Sequence, residues 1–356
     1  MSAPNDLPTR AAAPGATYIL PLKRTASGEL ADLPQYLRRV AEWADVLVVD
    51  GSEPDVFEAH SRELPSGVVH LVPAHSFLNG KVSGVLTGLD LAGTELCVIA
   101  DDDVRYTEPA FRQVLALLER ADVVRPQNYF LPLPWHARWD TARTLLNRAV
   151  GGDYPGTLGV RRSMLQRTGG YSGDVLFENL ELIRTVRAAG GREARAPALF
   201  VARRPCSVRH FRAQRVRQAY DGFAQPLRLV VELSLLPVLA FGTRRFRPLP
   251  AVAAAAAVVI AEAGRRRSRG REVFPASSAL WAPLWLLERS LAIWAALWFR
   301  LAGGVPYAGV RIRKAGHSVR QLRRVLQEGR RGHAPAPVRS AHSAQTRRRR
   351  GSVRAP

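Results

Sequence analysis

Asp101-Asp102-Asp103 close an apolar run, residues 95–100, whose length and composition read as a buried strand. Carboxylates held where such a strand ends lie on the edge at which open α/β sheets bind ligands. Two carboxylates one residue apart can share a divalent cation, and that cation can neutralise a diphosphate. The competing reading is an acidic turn before a helix, since Thr107-Glu108-Pro109 opens one. Further reactive residue types follow a fixed order around this turn. Asp50-Gly51-Ser52 ends another apolar run, Gly80-Lys81 opens a helix, and Gly156-Thr157 precedes Arg161-Arg162. Gly169-Gly170-Tyr171 precedes Glu178-Asn179-Leu180-Glu181, and Gln214-Arg215-Val216-Arg217-Gln218 precedes a long apolar region.

Positioning these residues requires a sheet. Apolar runs predict strands at residues 17–22, 46–49, 68–72, 96–100, 123–126 and 197–201. Helical spacing predicts helices at 33–43, 79–91, 141–150 and 176–189, and residues 151–171 are rich in glycine. Strands alternating with helices imply an α/β class with a mostly parallel sheet. Beyond Gln225 the composition turns apolar at 227–241, 249–263 and 280–302. The first two runs are short against the roughly 20 residues a bilayer needs. The third carries Trp281, Trp285, Trp294 and Trp298, a composition that favours the membrane interface, but Glu288-Arg289 interrupts it. The arrangement with least conflict is two short helices as a hairpin or re-entrant pair, with the Trp-rich segment lying in the interface.

The formal charge of the 356-residue chain is +22, from 52 Lys+Arg against 30 Asp+Glu, which selects for anionic partners. An anionic membrane surface and nucleotide diphosphates fit. Nucleic acid is not expected, because the basic stretches lack interleaved aromatics and any recognition motif. Cys97 and Cys206 are far apart and form no CxxC, which argues against a disulfide framework or a zinc site. The polar, Pro/Ala-rich start lacks the apolar core of a signal peptide, so this end is expected in the cytosol.

Taken in order, the motifs resemble those of the membrane-associated family 2 glycosyltransferases, which include cellulose, hyaluronan and ceramide glycosyl transferases. The likeness runs over residues 17–222. It implies a GT-A-type nucleotide-sugar-binding domain at 17–225 after a disordered start (1–16), then membrane-associated helices (226–310) and a basic, disordered tail (311–356). The implied activity is a metal-dependent, inverting transfer from a nucleotide-diphosphate sugar, with UDP expected, to a lipid or lipid-linked acceptor. Its implied place is the cytoplasmic face of the plasma membrane.

Residue by residue, the resemblance puts Pro21 in the base pocket and Asp50 with Ser52 on the base or ribose. It puts Lys81 and Asp102 beside the donor, and Asp101 and Asp103 on Mg2+ or Mn2+, Asp103 the more firmly. Gln214 and Arg217 match the first and fourth positions of the QxxRW signature that closes over the diphosphate. Gly156 and Thr157 fall on the acceptor side, and Glu178-Asn179 on the Glu-Asp pair whose aspartate is the general base. Two departures stand out. Asn179 cannot accept a proton, so the base falls to Glu178 or Glu181, or the acceptor needs little activation. Gln218 replaces the signature tryptophan and removes a stacking platform, which favours single transfer over polymerisation. A non-catalytic, membrane-bound nucleotide-sugar-binding protein is the alternative.

Overall fold

The computed structural model describes residues 15–25, 30–307 and 309–332. Its first half alternates β1 (Ala16–Leu22), α1 (Leu33–Val40), β2 (Asp45–Asp50), α2 (Pro54–Glu63), β3 (Val68–Leu71), α3 (Gly80–Leu91) and β4 (Leu96–Ala100). β1 pairs parallel with β2 and β4, and β2 with β3. β1, β2 and β4 are apolar on both faces because both are covered. Tyr18 and Leu20 of β1 pack with Leu37 and Phe111 on one side. Ile19 packs with Val82, Val85 and Ile99 on the other.

The chain continues through β5 (Val104–Arg105), α4 (Glu108–Leu118), β6 (Val123–Phe130), α5 (Trp135–Val150), β7 (Thr157–Arg161), α6 (Arg162–Arg167), α7 (Glu178–Ala188) and β8 (Glu193–Arg203). The eight-stranded sheet has the order β3-β2-β1-β4-β7-β6-β8-β5. The expected α/β class with a mostly parallel sheet holds, and β7 and β5 are its antiparallel members. β7 lies inside the glycine-rich stretch to which no element was assigned. It is short and carries Gly159 at its centre, so its apolar signal is weak. Its direction matters for the site. Thr157 pairs with Ala100, which sets Gly156 beside Asp101.

Close approach of α3 to β1 is what places Lys81 at the sheet edge. A Cβ on Gly88 would stand 2.4 Å from Ile19 Cγ2, and one on Gly84 2.9 Å from Pro21 Cβ. Gly88→Ala is therefore expected to destabilise the protein by about 1–3 kcal/mol through overpacking. Chemical denaturation would check it, and an unchanged midpoint would mean that α3 slides freely on β1.

After α8 (Val208–Ala213) and α9 (Arg215–Tyr220), three long helices follow: α10 (Pro226–Arg245), α11 (Leu249–Arg266) and α12 (Ala282–Leu301). They dock on the α/β body. Ala257, Ala261, Ala282 and Trp285 pack with Ala142 and Leu145 of α5. Ile293 and Ala296 pack with Ala219 and Tyr220. This docking resolves the charge pair in the Trp-rich run. Arg289 is buried, donates to Gln218 O at 2.9 Å and lies 3.8 Å from Glu232. Glu288 accepts from Trp139 Nε1 at 3.0 Å and faces Arg215 at 3.5 Å. Both charges turn toward the body, and Leu287, Leu291 and Trp298 turn outward with Leu227, Val230 and Phe241 of α10. Among the described residues, α10 is the one helix long and apolar enough to cross a membrane by length and composition.

The chain past Arg311 departs from the expected disorder. β9 (Val305–Tyr307) pairs with β10 (Val310–Ile312), and α13 (Val319–Gly332) follows. Leu176 N and Phe177 N donate to Lys314 O and Ala315 O, and His317 is bonded to Glu181. Tertiary partners order a segment whose composition alone is solvating. Residues 333–356 and 1–14 lie outside the described residues, as does most of the region expected to be disordered.

Candidate active site

Parallel strands β1, β2 and β4 end on one edge, and each end carries polar chemistry. Lys23-Arg24 follow β1, Gly51-Ser52 follow β2, and the three aspartates follow β4. Asn79 caps α3 by accepting from Lys81 N at 3.2 Å, and its Nδ2 donates to Val175 O at 3.1 Å. One side chain therefore ties the start of α3 to the loop that leads into α7. Lys81 Nζ consequently lies 2.5 Å from Asp101 Oδ1 and 2.7 Å from Glu178 Oε1. Burial works against its charge, but the two carboxylates outweigh it and push the ammonium pKa up.

Arg203, at the end of β8, faces the same turn. Its Nε donates to both Asp103 oxygens at 3.0 and 3.1 Å. Its Nη2 donates to Asp103 Oδ2 at 2.7 Å and to Asp101 Oδ2 at 3.3 Å. Asp102 pairs with Arg24 at 2.6 Å. Burial pushes the Asp103 carboxyl up, Asp101 adds to this, and the Arg203 guanidinium opposes it. The expected cation ligands are thus brought together, but as they stand they do not fit a divalent ion. Both Asp101 oxygens and both Asp103 oxygens already face Lys81 or Arg203. Among the described residues no group of three or more His, Cys, Asp or Glu could hold a metal.

Several other expected residues need correction. Asp50 is wholly buried and closed to a ligand. Its Oδ2 lies 2.6 Å from His60 Nδ1 and 3.2 Å from His70 Nε2, and its Oδ1 accepts from Ser52 N at 2.9 Å. Burial raises its pKa, but the bonds from His70, Ser52 and His60 outweigh it and hold the carboxyl below its usual range. Asp50 thus shapes the loop that presents Ser52, whose Oγ accepts from Arg24 N at 2.9 Å. Thr157 is also buried and bonds Ile99 O at 2.6 Å, so it staples β7 to β4 and does not face an acceptor. Gly156 does lie at the site, where a Cβ would stand 2.4 Å from Asp101 Oδ2. Glu181 is buried against His317, with contacts of 2.6 and 2.8 Å, and cannot serve as a base. Pro21 lies near the end of β1, against Gly84 of α3. Gln214 Nε2 donates to Cys206 Sγ at 3.5 Å. Arg217 lies over the Tyr307 ring at 5.3 Å, and the Tyr307 hydroxyl donates to Asn79 Oδ1 at 3.3 Å.

Asn179 is built as a donor. Its Nδ2 bonds Pro155 O at 2.9 Å in a buried setting. An aspartate there would set a carboxylate against a carbonyl oxygen. Asn179→Asp is expected to cost about 1–3 kcal/mol, as an unmade buried hydrogen bond does, and to raise no activity. A thermal melt beside a turnover assay checks both halves, and a more active variant would return the base to this position.

Two residues escaped the sequence reading. Arg203 follows a strand at 197–201, and two arginines at that strand end complement the acidic end of β4. That charge match was the available signal. The other is Asp221, the first carboxylate after the Gln-Arg motif. It is half-buried at the junction of α9 with the helical layer and accepts no hydrogen bond among the described residues. Burial pushes its pKa up to about 7, and Glu178 adds to this against Arg289, Arg143 and Arg228.

No protein-family model matches the chain. No curated protein matches it either. Among solved structures, a mannosyltransferase from Pyrobaculum calidifontis in complex with GDP-Man and Mn2+ superposes with a TM-score of 0.48 at 18% identity, over 83% of this chain and 91% of its own. Mannosyl-3-phosphoglycerate synthase from Rubrobacter xylanophilus superposes with a TM-score of 0.38 at 15% identity, over 56% of this chain and 69% of its own.

Proposed function

We propose that the protein is a GT-A-type glycosyltransferase of the family 2 kind. It moves a sugar from a nucleoside-diphosphate donor to a lipid or lipid-linked acceptor. The observation that carries this reading is the meeting of Lys81, Glu178, Arg203 and the acidic turn at one end of the parallel strands, where open sheets bind phosphorylated ligands. UDP- and GDP-sugars both suit such an edge.

In this reading the donor diphosphate lies among Lys81, Arg203 and Arg217. The acceptor oxygen attacks the anomeric carbon from the face opposite the diphosphate. A new C–O bond forms as the old one breaks, its electron pair stays on the diphosphate oxygen, and the configuration inverts. Asp221 takes the acceptor proton. A base poised near neutrality suits that task, and no other carboxylate near Glu178 lacks a cation or hydrogen-bond partner among the described residues. With Asp221 in this role, Asn179 does not require a non-catalytic protein.

The chain reaches α10 a few residues beyond Asp221, and α10 and α12 present apolar side chains outward. Apolar surface of this kind flanked by the exposed Arg244 and Arg245 suits an anionic membrane face. We place residues 17–225 as the catalytic body and 226–310 as the membrane-associated part, at the cytoplasmic side of the plasma membrane.

The test is nucleotide release by detergent-purified protein, with Mn2+ present, from a panel of UDP- and GDP-sugars and a total membrane-lipid extract. Release from one donor that depends on the lipid extract supports the reading. Nucleotide binding with no release above an Asp221→Asn control would leave a binding protein in its place.

A further inference from the structure

We propose that Arg203 is the resident cation of the aspartate pair, so that the donor diphosphate is held by protein cations without a divalent metal. This rests on the nucleotide-sugar reading above and names how that site neutralises its substrate.

The geometry carries it. A divalent ion shared by Asp101 and Asp103 would sit between their facing oxygens, and the Arg203 guanidinium is already there. It makes three contacts to Asp103 and one to Asp101. The planar fork of arginine suits such a site, and it stays charged at any working pH. The backbone that carries the side chain is fixed at this edge. Arg203 pairs with Val104 on one side and Phe130 on the other. Its carbonyl accepts from Leu131 N at 2.9 Å, and Arg204 N donates to Asp103 O at 2.7 Å. Gly156 closes the third side, where a Cβ would stand 2.8 Å from the guanidinium carbon. A metal entering this space would face a guanidinium held by both aspartates, with the repulsion that two poorly solvated cations suffer.

The same fork leaves a donor for the substrate. Nε and Nη2 are spent on the aspartates, while Nη1 has no hydrogen-bond partner among the described residues. Lys81 lies across Asp101 from it, so the two cations flank one carboxylate. The aspartates then serve to orient Arg203 and Lys81, and the cations meet the diphosphate.

Calorimetric titration of UDP and of GDP into full-length, EDTA-dialysed protein, in EDTA and again in Mn2+, tests this. The expected result is that one nucleotide binds equally well in both. Arg203→Ala should weaken that binding roughly 10- to 100-fold in EDTA, the worth of one or two charge-assisted hydrogen bonds. Mn2+ should restore part of it, because the vacated aspartates then accept the ion. Arg203→Lys, which keeps the charge but not the fork, should fall between the two. Wild-type binding that needs Mn2+ would overturn the proposal while leaving the transferase reading intact. If neither nucleotide binds under either condition, the nucleotide-sugar reading itself fails. The wild-type comparison decides between these outcomes even if a variant fails to fold.

Discussion

Asp221→Asn is expected to lower kcat by about 10²- to 10⁴-fold, the range that general-base catalysis supplies, while nucleotide binding holds. The same substitution should remove the acid limb of the pH–rate profile. In the wild type, activity should rise with pH through about 7, where the Asp221 carboxyl loses its proton. The stability effect has the opposite sign. A carboxyl whose pKa is raised on folding binds its proton more tightly in the folded state. It therefore costs stability as pH climbs from the ordinary carboxylate range to about 7, and the full cost applies above that. Asp221→Asn should accordingly melt higher than the wild type at pH 8 and level with it near pH 4. A residue of purely structural value would lose stability with activity. A variant that is slow but more stable at pH 8 marks a base. An unchanged turnover number would remove Asp221 from the mechanism and leave Glu178 as the candidate.

Lys81→Met should act on donor binding, catalysis and stability together. Removing the ammonium leaves Asp101 and Glu178 facing an empty space with no cation between them. The expected cost is about 3 kcal/mol, the low end for a broken buried pair because the site is partly open. Loss of a fixed cation beside the diphosphate should lower kcat/KM by about 10²-fold or more. The variant should also move the acid limb of the pH profile upward, because Glu178 would then act on Asp221 without its counter-charge. Lys81→Met with Glu178→Gln should recover part of the lost stability and none of the activity. Additive stability losses in that double-mutant cycle would show that the pair does not couple.

The α/β class, the first four strands and the long helices were legible because each is either a continuous apolar run or carries an apolar period of its own. The positions with chemistry were legible too, since the aspartates stand where an apolar run stops and Lys81 and Glu178 stand where helices open. What misled were residues with the right type in the right order but the wrong facing. Asp50, Thr157 and Glu181 all fit a motif, and all three are buried against partners distant in sequence: His60 and His70, Ile99, and His317. A period of two or 3.6 residues tells which side of an element a residue occupies. It does not tell which other element covers that side.

By itself, then, the sequence determined the first four strands, the helices at 33–43 and 79–91, the acidic end of β4, the lysine that opens α3 and the apolar character beyond residue 225. Only the tertiary structure decided which charges meet. The reversed β7 brought Gly156 against Asp101, and β8 brought Arg203 into the aspartate pair across a separation of 100 residues. Docking of α12 turned Glu288 and Arg289 inward and set Arg289 among the charges around Asp221. The reason is physical. Local propensity depends on neighbours along the chain, whereas an ion pair or a shifted pKa depends on distance and on exclusion of water, and both arise only when the elements pack.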